Sequence, residues 1–539
     1  MSRLKLFLST LCLSIFLTSV NGDYYSAISE LERLLDVEAF IIEKFDEYLE
    51  RAQQEQQEIK RFLSQVEELQ QNRGDLEEYF GNPLNAFTTI RRMVHDWKFN
   101  VFDHILETNN FETYKTALSE SLEKVNFKGP TKEDFKGATR GLLRLQKIYQ
   151  LPTAQLADGY LSGEENPLNA TLSASDCLEV GKNLCEVKEY TYGSEWLLEA
   201  RKRFHAEPLD FISPNVSEVE ILEHLSPAFK GLGNLKLAHK LNNEILDKEH
   251  THEEALKSRI FYETQLARER SGKSTKPEVV PQISEKELKE SFQLYTRVCR
   301  GELRPSPRKQ RKLRCYLSHQ NVSYYHLSPF KIEQLSLDPY VAYIHDVISK
   351  SEMEQIMEHG KGSMERSRVG QSENATTTEI RTSQNTWLWY DANPWLSKIK
   401  QRLEDITGLS TESAEPLQLV NYGIGGQYEP HFDFTETTKD WKGNRLLTAL
   451  FYLNDVPLGG ATAFPFLHLA VPPVKGSLLV WYNLHRSLHK DYRTKHAGCP
   501  VLQGSKWICN EWFHEGGQEF KRPCGLSSDE GKFKEFEEK

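Results

Sequence analysis

Cysteine is scarce in this sequence: eight occur in 539 residues, and no two form a CxxC pair. Structural zinc modules, which need closely spaced thiolate pairs, are disfavoured on that ground. An excess of basic charge is also lacking. Lys and Arg total 67 against 78 Asp and Glu, a net charge of −11, so the overall footprint of a nucleic-acid binder is absent. Long apolar runs are missing but for one near the start, which excludes a polytopic membrane protein. What remains is a globular balance of 38% hydrophobic, 27% charged and 11% aromatic residues. The length accommodates two to four domains of roughly 150 residues each.

The single apolar run has the form of a secretory signal over residues 1–22. Arg3 and Lys5 precede Leu6 to Val20, and Val20-Asn21-Gly22 offers a cleavage site before Asp23. A membrane anchor is the alternative, but a bilayer needs about 20 apolar residues, so no membrane span is expected. The mature chain then meets an oxidising lumen. Cys12 leaves with the signal, and the remaining seven cysteines are Cys177, Cys185, Cys299, Cys315, Cys499, Cys509 and Cys524. Cys177 and Cys185 stand about 12 Å apart along a helix, beyond the ~7 Å reach of a disulfide. Cys299–Cys315 and Cys499–Cys524 close loops of ordinary size and are the better candidate pairs. Sequons at Asn169, Asn215, Asn321 and Asn374 are compatible with glycosylation.

The N-terminal part, residues 23–150, reads as helical. Ile28, Leu31, Leu35, Ile42, Phe45, Leu49, Ala52, Ile59, Leu63 and Val66 follow a 3-4 spacing interrupted by Glu38, Gln56 and Gln70. That is a long helix seeking a partner along a seam, either within its own domain or in a second subunit. A second helical unit occupies residues 173–269. There Ala228, Gly233 and Ala238 have the small-residue spacing of a tetratricopeptide repeat. Such repeats form a groove, and Tyr190, Tyr192 and Trp196 are candidates to stack on an extended proline-rich peptide. Inter-helix core is the other reading of these aromatics. Residues 270–335 are expected to be a polar linker with paired cysteines, including the basic stretch Arg304 to Arg314.

The composition changes again in residues 336–525. Runs such as LQLVNYG, NRLLTALFYLN, GSLLVWYNL and KWICNEWF are β-branched and aromatic between turn residues, which predicts a two-layered antiparallel jelly roll. Within GGQYEPHFDF, His431 and Asp433 are two apart on a strand and share a face. A distal His496 completes two imidazoles and one carboxylate. On an octahedral ion this set leaves three positions open, as in non-haem Fe(II) oxygenases. Two open positions suit a chelating keto acid and the third suits O₂. Lys506, ten residues after His496, supplies a cation for the far carboxylate of that keto acid.

The stretches QLVNYGIGGQYEPHFDF, GGATAFP and HAGCPVLQGSKWICNEWFHEGGQEFKRPC resemble the catalytic domain of collagen prolyl 4-hydroxylase α subunits, and the resemblance extends over nearly the whole chain. It implies a multidomain α + β architecture: a helical dimerisation region, a tetratricopeptide-like peptide-binding domain, and a C-terminal double-stranded β-helix dioxygenase domain. It implies Fe(II), 2-oxoglutarate, O₂ and L-ascorbate, 4-hydroxylation of proline in X-Pro-Gly repeats of procollagen-like chains, and an α₂β₂ assembly with protein disulfide isomerase. Residue by residue, His431, Asp433 and His496 would bind iron and Lys506 the distal carboxylate of 2-oxoglutarate. Tyr422 and Thr462 match positions near the cosubstrate. Arg381 and Trp507 face substrate, or are a surface ion pair and a core aromatic respectively. Cys499–Cys524 matches a family disulfide.

Some residues depart from the pattern. His485 and His489 lie in the loop before His496, Lys230 stands where collagen-hydroxylating members tend to carry an aromatic residue, and Cys185 is additional. Two further readings stay open: an α-like subunit that binds proline-rich chains without turnover, and a zinc hydrolase using the same HxD. The charged tail, residues 526–539, ends in Phe536-Glu537-Glu538-Lys539 without a KDEL-type signal. Retention in the endoplasmic reticulum lumen is therefore expected to come from the partner.

Overall fold

Hydrophobic spacing of 3.6 in the first half and of 2 in the second gives two kinds of unit. The computed structural model describes residues 24–26, 28–51, 57–98, 119–120, 129–161, 170–206, 216–271, 281–369, 376–391, 393–435 and 441–525. One unit comprises Met1–Tyr25 and Ser29–Glu285, the other Ser26–Ile28 and Lys286–Lys539. The signal segment, the sequons Asn169, Asn215 and Asn374, and the charged tail lie outside the described residues. Asn321 is exposed in a loop with φ 58°. No described helix is long and apolar enough to cross a membrane.

The first unit is helical among its described residues. Its helices α1 (Ile28–Arg51), α2 (Gln57–Gln71), α3 (Leu76–Gly81) and α4 (Pro83–Arg91) are followed by a π turn at Arg92–Asp96. Pro83 sits at the start of α4, where its missing N–H costs nothing. The seam residues Leu31, Leu35, Phe45, Leu63 and Val66 are buried within the single chain, so the packed-helix alternative accounts for them. The polar interruption at Glu38 has a structural reason. Its buried carboxylate accepts from Arg92 Nε at 2.7 Å, Trp97 Nε1 at 2.8 Å and Gln70 Nε2 at 3.4 Å. An unpaired charge there would be costly, and two of the three interruptions answer each other.

Helix α5 (Lys132–Tyr149) opens on a capping box between Thr131 and Asp134. After a short α6 (Thr153–Ala157) come five helices, each packed on the next. They are α7 (Ala174–Glu186), α8 (Tyr190–Ala206), α9 (Glu218–Gly231), α10 (Leu235–Lys248) and α11 (Glu253–Arg270). Ala228 and Ala238 are fully buried where α9 meets α10, as the repeat spacing requires. Trp196 is a correction to the peptide-stacking set. It is 0% exposed and its indole donates to Gln146 Oε1 at 3.0 Å; the α8 face that carries it is the inter-helix core. Tyr190 and Tyr192 are half-buried. Lys230 lies with its ammonium 4.3 Å over the ring of Phe261.

The second unit begins well before the expected boundary at 336. Helix α12 (Glu290–Cys299) and the strands β1 (Cys315–Ser318) and β2 (Phe330–Leu337) belong to it, so most of the presumed linker is built into the sheet unit. The other strands are β3 (Tyr340–His345), β4 (Glu365–Arg366), β5 (Gln384–Leu388), β6 (Leu417–Tyr422), β7 (Tyr428–His431), β8 (Arg445–Tyr452) and β9 (Leu458–Gly459). They continue with β10 (Thr462–Phe464), β11 (Leu469–Val471), β12 (Leu478–Tyr482), β13 (His496–Gly498), β14 (Val501–Gln503) and β15 (Lys506–His514). The large sheet runs β1-β2-β3-β12-β8-β15-β6-β5-β4 and the small one β11-β10-β13-β7.

Alternation sorts most of the large sheet's side chains. Leu447, Ala449, Phe451, Leu478, Val480, Trp507 and Cys509 share one core with Ile356, Ile399 and Leu403, residues of α13 (Lys350–Lys361) and α14 (Ser397–Thr407). Leu450, Tyr452, Leu479, Trp481 and Ile508 share a second core with Phe464, Leu469 and Val471 of the small sheet. Period 2 thus gives two cores from the same strands.

The disulfide is Cys299–Cys499, with Cα atoms 5.7 Å apart. Cys315 and Cys524 are free and exposed, which corrects both expected pairs. The reason is tertiary. Helix α12 packs on β7, β10 and β11, and its Tyr295 hydroxyl donates to Gln427 Oε1 at 3.0 Å. This brings the end of α12 beside the residue that follows β13.

Candidate active site

Strands β7 and β13 pair with His431 opposite His496, and Asp433 follows two residues after His431. The three side chains converge: a ligand atom from each lies within 4.8 Å of the others, the one such group of His, Cys, Asp and Glu among the described residues. Asp433 Oδ1 is 3.7 Å from His431 Nε2 and 3.5 Å from His496 Nε2. Each ring is oriented by its far nitrogen. His431 Nδ1 donates to the Glu429 carbonyl at 2.8 Å and His496 Nδ1 to the Thr494 carbonyl at 3.0 Å. Both Nε2 lone pairs are thereby left for an ion. Tyr428 stacks on His431 with ring centroids 3.5 Å apart, and Trp481 meets His496 at 4.7 Å.

The electrostatics fit a cation. Burial, followed by the nearby His496, pushes His431 down to about 3, so the imidazole is neutral and able to ligate. Burial alone would raise Asp433, but His496, His431 and Arg445 outweigh it and hold the carboxyl well below the usual carboxylate range. His485 and His489 do not join the cluster: one lies 3.7 Å from Asp491 and the other shares a hydrogen bond with Ser487 at 3.1 Å.

The triad lines a cavity of about 200 Å³ together with Lys506, Tyr422, Thr462 and Arg381. Lys506 heads β15 after the turn Gln503-Gly504-Ser505. Gly504 has φ 88°, and a Cβ there would stand 2.5 Å from Pro457 Cδ, so the turn requires glycine. Lys506 is 2% exposed and has no carboxylate partner among the described residues. Burial alone pushes its ammonium down to about 7. A buried cation left open to a cavity calls for an anionic ligand. Its Nζ lies 5.3 Å from the Tyr422 ring and 5.7 Å from the Tyr452 ring, and the Tyr452 hydroxyl is hydrogen-bonded to Thr462 Oγ1 at 2.7 Å.

Trp507 does not enter this cavity. Adjacent residues on a strand face opposite ways, and Trp507 packs in the helix-side core. The residues that share Lys506's face are Ile508, Asn510 and Trp512, and all three line the cavity. Sequence reading missed Trp512, although the i+2 rule applied from Lys506 points to it. Three buried polar atoms on this wall, Arg381 Nε, Asn510 Oδ1 and Trp512 Nε1, have no hydrogen-bond partner among the described residues.

Comparison with known proteins matches this geometry. Residues 27–163 match the family model "Prolyl 4-Hydroxylase alpha-subunit, N-terminal region", 174–268 "Prolyl 4-hydroxylase peptide-substrate-binding domain", and 417–514 "2OG-Fe(II) oxygenase superfamily". The chain is 36% identical to prolyl 4-hydroxylase subunit alpha-2 of Gallus gallus, covering 96% of this chain and 98% of that one. It is 34% identical to subunit alpha-2 of Caenorhabditis elegans, covering 94% of each chain. With subunit alpha-1 of Homo sapiens it shares 32% over 94% of this chain and 96% of the other. A buried His-Asp-His cluster beside a lysine with no carboxylate partner among the described residues, inside a chain matched over 94–96% of its length at this level, has one family explanation: the chain belongs to the prolyl 4-hydroxylase α subunits, with a 2-oxoglutarate–Fe(II) oxygenase domain carrying the cluster.

Proposed function

We propose that the chain hydroxylates C4 of peptidyl proline in X-Pro-Gly sequences of procollagen-like chains, consuming 2-oxoglutarate and O₂ and releasing succinate and CO₂. The observation that carries this reading is the placement around one cavity of His431, Asp433, His496 and Lys506, which has no carboxylate partner among the described residues. His431 Nε2, Asp433 Oδ1 and His496 Nε2 hold Fe(II), and Lys506 pairs with the distal carboxylate of 2-oxoglutarate beside Tyr422 and Thr462. Bound there, iron with 2-oxoglutarate supplies the oxidant for an unactivated C–H bond.

The chain's own residues bind, orient and exclude water. Tyr428 and Trp481 wall the imidazoles. Arg381, Asn510 and Trp512 offer the peptide one acceptor and two donors that are otherwise unsatisfied. A zinc hydrolase would have no use for Lys506, and a non-catalytic binder no use for the complete set. Residues 174–268, with Tyr190 and Tyr192 half-buried, bind the proline-rich chain. L-Ascorbate as reductant, protein disulfide isomerase as the β subunit of an α₂β₂ tetramer, and the endoplasmic reticulum lumen complete the proposal.

The test is direct. The co-expressed complex is incubated with Pro-Pro-Gly repeats and with poly-proline, with and without 2-oxoglutarate, and 4-hydroxyproline is counted by mass spectrometry. Product that forms only with 2-oxoglutarate supports the reading. Turnover that ignores 2-oxoglutarate and O₂ sinks it.

A further inference from the structure

The carboxylate of Asp433 has two oxygens, and they have different surroundings. Oδ1 faces both imidazoles. Oδ2 is met by the Thr448 hydroxyl at 2.6 Å. Behind Thr448 the chain of contacts continues: Asn483 Nδ2 reaches Thr448 Oγ1 at 2.8 Å, and Trp481 Nε1 reaches Asn483 Oδ1 at 2.9 Å. Thr448, Asn483 and Trp481 are each at most 1% exposed. Strand register builds the arrangement, because β8 and β12 pair with Thr448 opposite Trp481.

The direction of every bond in this chain is fixed by its first member. An indole N–H can only donate, so Asn483 Oδ1 must accept. That sets the amide orientation, which distances alone leave open, and Asn483 Nδ2 must then donate to Thr448. The threonine hydroxyl, already accepting, has its single proton for Asp433 Oδ2. We propose that Trp481, Asn483 and Thr448 form a one-way hydrogen-bond relay that occupies Asp433 Oδ2 and so confines the aspartate to one ligand oxygen, Oδ1.

The confinement has a chemical consequence. Two imidazoles and one carboxylate oxygen leave three positions on an octahedral ion. A carboxylate free to bind through both oxygens would take a fourth, and a chelating keto acid and O₂ could no longer be held together. Thr448, Asn483 and Trp481 are therefore positioning residues, acting through Asp433. The inference rests on the metal reading proposed above.

The experiment titrates the metal-free, co-expressed complex with Co(II), followed by visible absorption, and then titrates the loaded form with 2-oxoglutarate. Thr448→Val is expected to weaken Co(II) binding by ~10–100-fold, the usual effect of losing a partner behind a metal ligand, and to change the ligand-field spectrum. Thr448→Ser, which restores the hydroxyl, should recover both. Asn483→Asp gives a second variant of the same shape should Thr448→Val fail to fold. Its carboxylate accepts from Trp481 and also from Thr448, drawing the hydroxyl away from Asp433, and should reproduce the Thr448→Val spectrum. Wild-type Co(II) affinity and spectrum in a folded Thr448→Val or Asn483→Asp protein would overturn the relay alone. A Thr448→Ser protein as impaired as Thr448→Val would also overturn it. Failure of the wild-type complex to bind Co(II) would remove both the relay and the metal reading.

Discussion

At the residue scale, three side chains make up the proposed ligand set. Replacing His431, Asp433 or His496 by Ala leaves two protein ligands, too few to hold a facial site, and each variant should lose hydroxylation of Pro-Pro-Gly repeats. His485→Ala and His489→Ala should keep most of it, since neither ring joins the cluster. Retained iron in His496→Ala with loss in His489→Ala would reverse the assignment.

Lys506 makes a prediction with a definite sign. Its ammonium is lowered from 10.5 to about 7 by burial in the ligand-free chain. A dicarboxylate that pairs with it raises that value again, so binding above pH 7 draws in a proton and affinity falls as pH rises. Calorimetry of 2-oxoglutarate binding at pH 8, in two buffers of different ionisation enthalpy, should show uptake approaching one proton; no uptake would remove Lys506 from the role. The stability of the ligand-free fold moves the other way. Between about pH 7 and 10.5 the unfolded chain holds the proton that the folded chain has lost, so the contribution of Lys506 to stability rises with pH there and is at its lowest below pH 7. Local spacing made His431, Asp433, His496 and Lys506 legible in the sequence. For Trp507 the sequence leaves substrate contact and core open, and the strand decides: one step from Lys506 turns its side chain to the opposite face, into the helix-side core.

Between elements, the sequence showed which segments are helices and strands better than what covers them. The seam of α1 and α2 was visible as a stripe, but a stripe does not name its partner. The ring of Trp97, at 6.2 Å from Phe45 and 5.1 Å from Phe62, shows a neighbour within the same chain. Trp196 illustrates the same ambiguity, since its reading depended on which side of α8 meets other helices. Trp196→Ala should cost roughly 3–5 kcal/mol of stability, as a large-to-small core substitution, and should lower the melting temperature. A normal melt with a selective loss of peptide affinity would return Trp196 to the groove. The disulfide was illegible for a different reason. Loop size favours near cysteines, whereas the observed pair is 200 residues apart in sequence and depends on how α12 packs. Cys299→Ser or Cys499→Ser should destabilise the protein by about 2–5 kcal/mol, and Cys315→Ser or Cys524→Ser should leave the melt unchanged. The opposite pattern would restore the pairing read from loop size.

For the whole molecule, composition excluded more than it assigned, and the motif-bearing strands assigned the rest. The proposed tetramer is tested by expression. Alone, the chain should aggregate or yield little active material; with protein disulfide isomerase it should give a soluble α₂β₂ species by size-exclusion chromatography with light scattering. An active, stable, isomerase-free monomer would dismiss the partnership.

The Cys299–Cys499 bridge also imposes a timetable. Protein synthesis proceeds at ~5–20 residues per second, so Cys499 leaves the ribosome roughly 10–40 seconds after Cys299. Cys315, sixteen positions on, follows Cys299 within about 1–3 seconds at the same rate. Over nearly all of that interval, the Cys299 thiol that must eventually brace the strand bearing His496 has a wrong partner close by and no right one. Correct closure then depends on exchange that reopens the early pairing, the chemistry of the very subunit proposed to accompany the finished enzyme.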